Sequence, residues 1–205
     1  TNEEISKLSG EQVLDAILKA NLFTYFRQRP FNVIPNHKVP ARDIFISGLN
    51  TGPLSVDLEV VMAGQLENFQ NGINAISKLT KGNVYLTTKK NSVLSSIENV
   101  KINTISGPHP AGNVGIQIHH ISHLRPGEVV WTINPQEVAT LGKFFKTGKY
   151  DPYRVISVGG PSVKTPTYYK VRTGVPIKSL IYNNLKSENV RIISGDVLTG
   201  RNASV

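Results

Sequence analysis

Two short apolar runs bracket a longer amphipathic one. Asp43-Ile44-Phe45-Ile46-Ser47-Gly48-Leu49 comes first and Asn83-Val84-Tyr85-Leu86-Thr87-Thr88 last. Both read as strands, being short, apolar and bounded by turn residues. Between them Leu58, Val61, Met62, Leu66, Phe69, Ile73 and Ile76 recur at helical spacing. The spacing predicts one long helix from Asp57 through Leu79, ended by Gly82. Strand, helix and strand in that order make an α/β unit with a parallel sheet.

The neighbouring segments extend this unit. Ser9-Gly10-Glu11-Gln12 is a capping box that opens a helix running to about Asn21. Aromatics at Phe23, Tyr25, Phe26 and Phe31 are expected in the core. Residues 93–100 read as a short helix or loop, Lys101–Ile105 as a third strand and Val129–Ile133 as a further one. Asn134-Pro135-Gln136-Glu137 is a second helix start, with a capping Asn, Pro at the first helical position and Glu three after the cap. Val138, Leu141, Phe144 and Phe145 give that helix its apolar face. Beyond Asp151-Pro152 the elements shorten. Strands are expected at 154–158, 163–166, 168–172 and 190–195, with a short helix from Pro176 to Ile181. Together they form a small α+β unit.

One stretch stands out as a candidate site: Ser106-Gly107-Pro108-His109-Pro110-Ala111-Gly112-Asn113-Val114-Gly115. Pro108 and Pro110 fix the backbone on either side of His109. Gly107, Gly112 and Gly115 permit close approach of another group. From Val114 the residues alternate apolar and polar, so the chain is expected to continue as a half-buried strand through His120. A stiff loop aimed from a strand end is where binding groups tend to sit. His119, His120 and His123 follow, but no carboxylate completes a zinc frame, and ordinary strand histidines are the better reading. No acidic residue lies beside His109 in sequence and there is no nucleophile elbow, which favours binding over catalysis.

Several chemistries are excluded or lack their motifs. The chain has no cysteine, so disulfides, thiolate catalysis and cysteine-held metal clusters are out. Neither G-x-G-x-x-G nor a P-loop is present. No apolar run reaches the roughly 18–20 residues of a membrane span. The chain starts Thr-Asn-Glu-Glu-Ile, without Met, and is expected to be a piece of a longer protein. Charge is lopsided. Residues 1–100 hold 10 Lys/Arg and 9 Asp/Glu, net +1, and residues 101–205 hold 13 and 5, net +8. The basic half can face anionic lipid or an acidic partner. Its tyrosines lie in strands, so nucleic acid is not the expected partner.

Six segments carry a resemblance. They are Arg27-Gln28-Arg29-Pro30-Phe31, Asn50-Thr51-Gly52-Pro53-Leu54, Ser106-Gly107-Pro108-His109-Pro110-Ala111-Gly112, Trp131-Thr132-Ile133-Asn134-Pro135-Gln136-Glu137-Val138, Val158-Gly159-Gly160-Pro161 and Ile193-Ser194-Gly195-Asp196-Val197-Leu198. In this order they resemble the NqrA family, which comprises one subunit type of the bacterial sodium-translocating NADH:quinone oxidoreductase. The resemblance implies a Rossmann-like parallel-sheet domain over 1–149, then a small β-grasp domain of the soluble-ligand-binding type over 150–205. It implies a peripheral subunit on the cytoplasmic face of the inner membrane, docked on membrane subunits and linked to quinone. The glycine-rich flavin loop of a related complex I protein is absent, so no bound cofactor is expected. Quinone- or partner-binding candidates are Gly107, Pro108, His109, Pro110, Gly112, Gly115 and Trp131. A flavin- or nicotinamide-binding oxidoreductase domain and a standalone small-ligand module stay open as alternatives.

Overall fold

The computed structural model describes residues 2–187 and 189–203. Its elements in order are α1 (Asn2–Lys7), α2 (Gly10–Lys19), β1 (Arg27–Arg29), β2 (Ile44–Ser47), α3 (Leu58–Met62), α4 (Leu66–Ile76), β3 (Val84–Thr88), β4 (Lys101–Thr104), α5 (Val114–Ser122), β5 (Val130–Ile133), α6 (Pro135–Thr147), β6 (Tyr153–Val158), β7 (Thr167–Arg172), α7 (Ile177–Ile181), β8 (Ile193–Ser194) and β9 (Arg201–Asn202). The chain is a mixed α/β protein. One five-stranded sheet has the order β1-β5-β2-β3-β4, and β6-β7 and β8-β9 are two-stranded antiparallel sheets. In the large sheet β5, β2, β3 and β4 are parallel, and β1 runs antiparallel to β5.

Alternation along the strands sorts two cores. Ile44, Ile46, Val84, Leu86, Trp131 and Ile133 pack on one face against Val13 and Ile17 of α2, Phe69, Ile73 and Ile76 of α4, and Val138 and Leu141 of α6. Phe45 and Val130, one residue out of phase, face Ile118 of α5 on the other side. Helices therefore cover both faces, which parallel strands require. The α4 and α6 backbones touch. A Cβ on Gly142 would lie 1.7 Å from the Asn68 carbonyl, and one on Gly72 would lie 2.1 Å from that of Val138.

Both predicted helix starts form. Ser9 with Gln12, and Asn134 with Glu137, make reciprocal capping boxes. Four expectations are corrected. Phe31 lies outside the core, 85% exposed, because the turn after Pro30, with Phe31 at φ 79°, carries its ring away from the sheet. The long helix over 57–79 is two, α3 and α4, separated at Ala63-Gly64-Gln65, where Gly64 sits at φ 74°. The stripe of buried residues continues across the break because both pieces pack on the same core. The expected strand through 114–120 is helix α5. Val114, Ile118 and Ile121 sit at i, i+4 and i+7 and bury against Phe45 and Val130, while Ile116 of the alternating reading is exposed. In the C-terminal part the strand over 190–195 shrinks to Ile193–Ser194, and that over 163–166 to a single bridge, Val163 with Leu185. Bends at 164–165 and at Gly195 interrupt the rest.

Candidate functional site

The loop around His109 sits over the carboxyl ends of β2 and β3, tied there by a chain of hydrogen bonds. Ser47 ends β2 and Thr87 lies near the end of β3, both on the α5 side of the sheet. Between them Gln117 of α5 is buried. Its Oε1 accepts from Thr87 Oγ1 at 2.7 Å. Its Nε2 donates to Ser47 Oγ at 2.9 Å and to the Ala111 carbonyl at 3.2 Å. Ser47 Oγ also lies 3.2 Å from the Gly112 carbonyl. A buried amide with satisfied partners fixes its surroundings, because breaking any one bond strands a polar group away from water.

The second tie runs through Thr51. The Gly112 N–H donates to Thr51 Oγ1 at 2.9 Å. A Cβ on Gly112 would lie 2.5 Å from the Thr51 backbone nitrogen, so only glycine fits this approach. Thr51 Oγ1 also stands 3.5 Å from His109 Nδ1.

A third loop arrives from the C-terminal part. The Asp196 side chain packs on Gly52, where a Cβ would lie 2.8 Å from its carboxyl carbon. Asp196 accepts from the Leu198 and Thr199 N–H groups, both at 2.8 Å, and from Thr199 Oγ1 at 2.6 Å. The Thr199 hydroxyl, those N–H groups and nearby His109 hold its carboxyl below the usual range. An acidic group does therefore stand near His109, supplied from 87 positions further along the chain (196 − 109). The sequence places none beside it.

The predicted residues divide. Gly107, Pro108, His109, Pro110 and Gly112 share the loop, and His109 is half-buried. Gly115 lies in the first turn of α5 with open space about it. Trp131 is elsewhere, fully buried on the opposite face between Phe23 and Phe26 with ring centroids 5.4 and 5.5 Å away. His119, His120 and His123 are exposed at the end of α5, and no group of three or more metal-ligating side chains occurs among the described residues. Ser47, Thr51, Gln117 and Asp196 carry no sequence signature of a site. Thr51 and Asp196 lie in segments that bear the resemblance, which is the one signal that could have found them.

The NqrA second alpha/beta domain model matches residues 8–150, and the NQRA C-terminal domain model matches residues 155–205. The chain belongs to the NqrA family. It is 36% identical over 203 residues to the NqrA protein (of the Na(+)-translocating NADH-quinone reductase) from Marinomonas sp. (strain MWYL1), covering 99% of this chain and 46% of that one. With the corresponding protein of Pasteurella multocida (strain Pm70) it shares 36% over 206 residues, covering 100% and 46%. The chain thus spans about half the length of these NqrA relatives. In structure it is similar to an NAD+-reducing NiFe-hydrogenase in the air-oxidized state, with TM-score 0.62 and 13% identity over 90% of this chain and 40% of that one. That likeness concerns the fold. No helix among the described residues of this NqrA-family chain is long and apolar enough to cross a membrane.

Proposed function

We propose that this chain forms part of a peripheral, cofactor-free subunit of a sodium-translocating NADH:quinone reductase. It docks on membrane subunits at the cytoplasmic face and contributes to the quinone site during ubiquinone reduction coupled to sodium export. The division is a Rossmann-like domain over 1–149 and a β-grasp domain over 150–205. Family membership supports the complex.

One observation carries the quinone part: loops 50–52 and 106–113 meet at Thr51 and His109, and loop 195–199 packs on Gly52 beside them. Ligands of open parallel sheets sit beyond the carboxyl ends of the strands, where this loop lies. With Nδ1 facing Thr51, Nε2 is the ring nitrogen left to meet a quinone carbonyl.

Titration with a soluble short-chain quinone, followed by amide NMR, tests the reading. Saturable shifts clustered at 107–115 that His109→Ala weakens are the expected outcome. Absence of shifts there, or shifts indifferent to His109→Ala, removes quinone from this loop.

A further inference from the structure

We propose that the free edge of β7 receives an extended, acidic-flanked apolar segment of a partner protein, which adds as a third strand to the β6-β7 sheet. This deepens the docking part of the proposed function and rests on it.

The backbone parity of the hairpin decides which groups are free. β6 and β7 pair from Tyr153–Arg172 through Val158–Thr167. The Val155 N–H and carbonyl are both taken by the Gln136 side chain, on the side of β6 away from β7. Val155 and its partner Lys170 therefore form a non-hydrogen-bonded pair, and both turn their peptide groups outward. By the period of two, Tyr168 and Lys170 aim N–H and C=O away from β6. β7 has no second strand among the described residues. Among the described residues its two edges thus differ in kind: the β6 edge is held at Val155 by a side-chain amide, and the β7 edge is unpaired. Unpaired strand edges are templates for added strands.

The surroundings define the occupant. Along this edge runs an open groove of about 850 Å3 between β7 and the α7 segment, with Thr167, Tyr169, Leu180 and Tyr182 in its walls. Tyr182 is 73% exposed, an unusual position for a large aromatic ring. An added strand would send alternate side chains into this groove, which favours Val, Ile or Leu there. The rim carries lysines. Lys178 lines the groove, with Lys164 next to its Thr165, whereas Arg154 and Lys170 line a separate cleft with Lys143 and Asp151. Lys164 and Lys178 flank the groove and are exposed. An apolar core of four residues flanked by Asp and Glu matches both the groove and its rim.

The test uses a synthetic octapeptide, Asp-Glu-Val-Ile-Val-Ile-Asp-Glu, with the chain as it stands. The expected result is saturable binding that slows hydrogen exchange at the Tyr168 and Lys170 amides. N-methylation of one alternate set of peptide amides abolishes binding, while methylation of the other set leaves it intact. Lys164→Glu with Lys178→Glu weakens binding about tenfold, the size of two exposed ion pairs lost and reversed. Binding that ignores which set is methylated overturns strand addition. Unchanged exchange at Tyr168 and Lys170 with saturating peptide overturns the site. If these amides are already protected without peptide, and dilution exposes them, a second copy of the chain holds the edge and the proposal is wrong. Quinone titration at 107–115 is read separately, so either result can fail alone.

Discussion

The side-chain amide of Gln136 grips the backbone of Val155 from both sides. Nε2 donates to the Val155 carbonyl at 2.9 Å and Oε1 accepts from its N–H at 2.8 Å. A side chain at the start of α6 thus replaces one link of a strand ladder and fastens the small C-terminal sheet to the larger unit. Tyr168 adds a second tie, its hydroxyl accepting from the Asp57 N–H at 3.1 Å.

Gln136→Ala is therefore expected to cost about 1–3 kcal/mol, because both Val155 groups lose their partner in a partly buried place. Chemical denaturation measures the loss, and hydrogen exchange at the Val155 amide should speed up. Gln136→Glu keeps the acceptor and loses the donor, so it should fall between. A Gln136→Ala protein with unchanged stability and unchanged Val155 exchange would show the grip to be incidental.

Gln117 is a buried polar residue whose loss leaves Ser47, Thr87 and the Ala111 carbonyl short of partners. Gln117→Ala should destabilise the protein by about 2–4 kcal/mol, combining a cavity with unpaired groups. Gln117→Leu removes the cavity term alone and should recover part of the loss. The loop at 108–113 should broaden in NMR spectra of both variants.

Two glycines of the same loop region should respond in opposite ways. Gly112→Ala drives a Cβ to 2.5 Å from the Thr51 nitrogen, so the loop must shift, at about 1–3 kcal/mol. Gly115→Ala meets nothing within 4 Å in the first turn of a helix and should stabilise by about 0.5–1 kcal/mol. Thermal melts of the two variants decide it, and the contrast disappears if the loop is soft.

Asp196 yields a pH prediction. Its folded carboxyl is held below the usual range by the Thr199 hydroxyl first, then by backbone N–H groups. A depressed carboxylate contributes stability that is present above the ordinary carboxylate pKa and is lost as pH falls through the lower, folded one. Asp196→Asn should thus lower stability near neutral pH by about 0.5 kcal/mol, because the amide still accepts from the N–H groups but loses the Thr199 hydroxyl bond at a largely solvent-screened place. The gap between the two proteins should close under strong acid. Denaturation midpoints from pH 7 down to pH 2 supply the measurement. A gap independent of pH would assign the effect to shape alone.

What the sequence determined by itself was local. The capping boxes at Ser9 and Asn134 need only residues three apart, and the β2–β3 unit needs only two apolar runs around an amphipathic one. Those signals lie within one turn or one strand, so they read directly. Val114 to Ile121 was ambiguous on the same grounds. Val114, Ile116 and Ile118 fit a strand, while Val114, Ile118 and Ile121 fit a helix. Burial of the second set against Phe45 and Val130 settled it, an energy that no local pattern contains. The site was legible only in part. The stiff loop with His109 could be read, but Thr51 lies 58 positions away and Asp196 lies 87 (196 − 109). Only the tertiary structure joins them, because such contacts form after distant strands have paired and carried their loops to one end of the sheet.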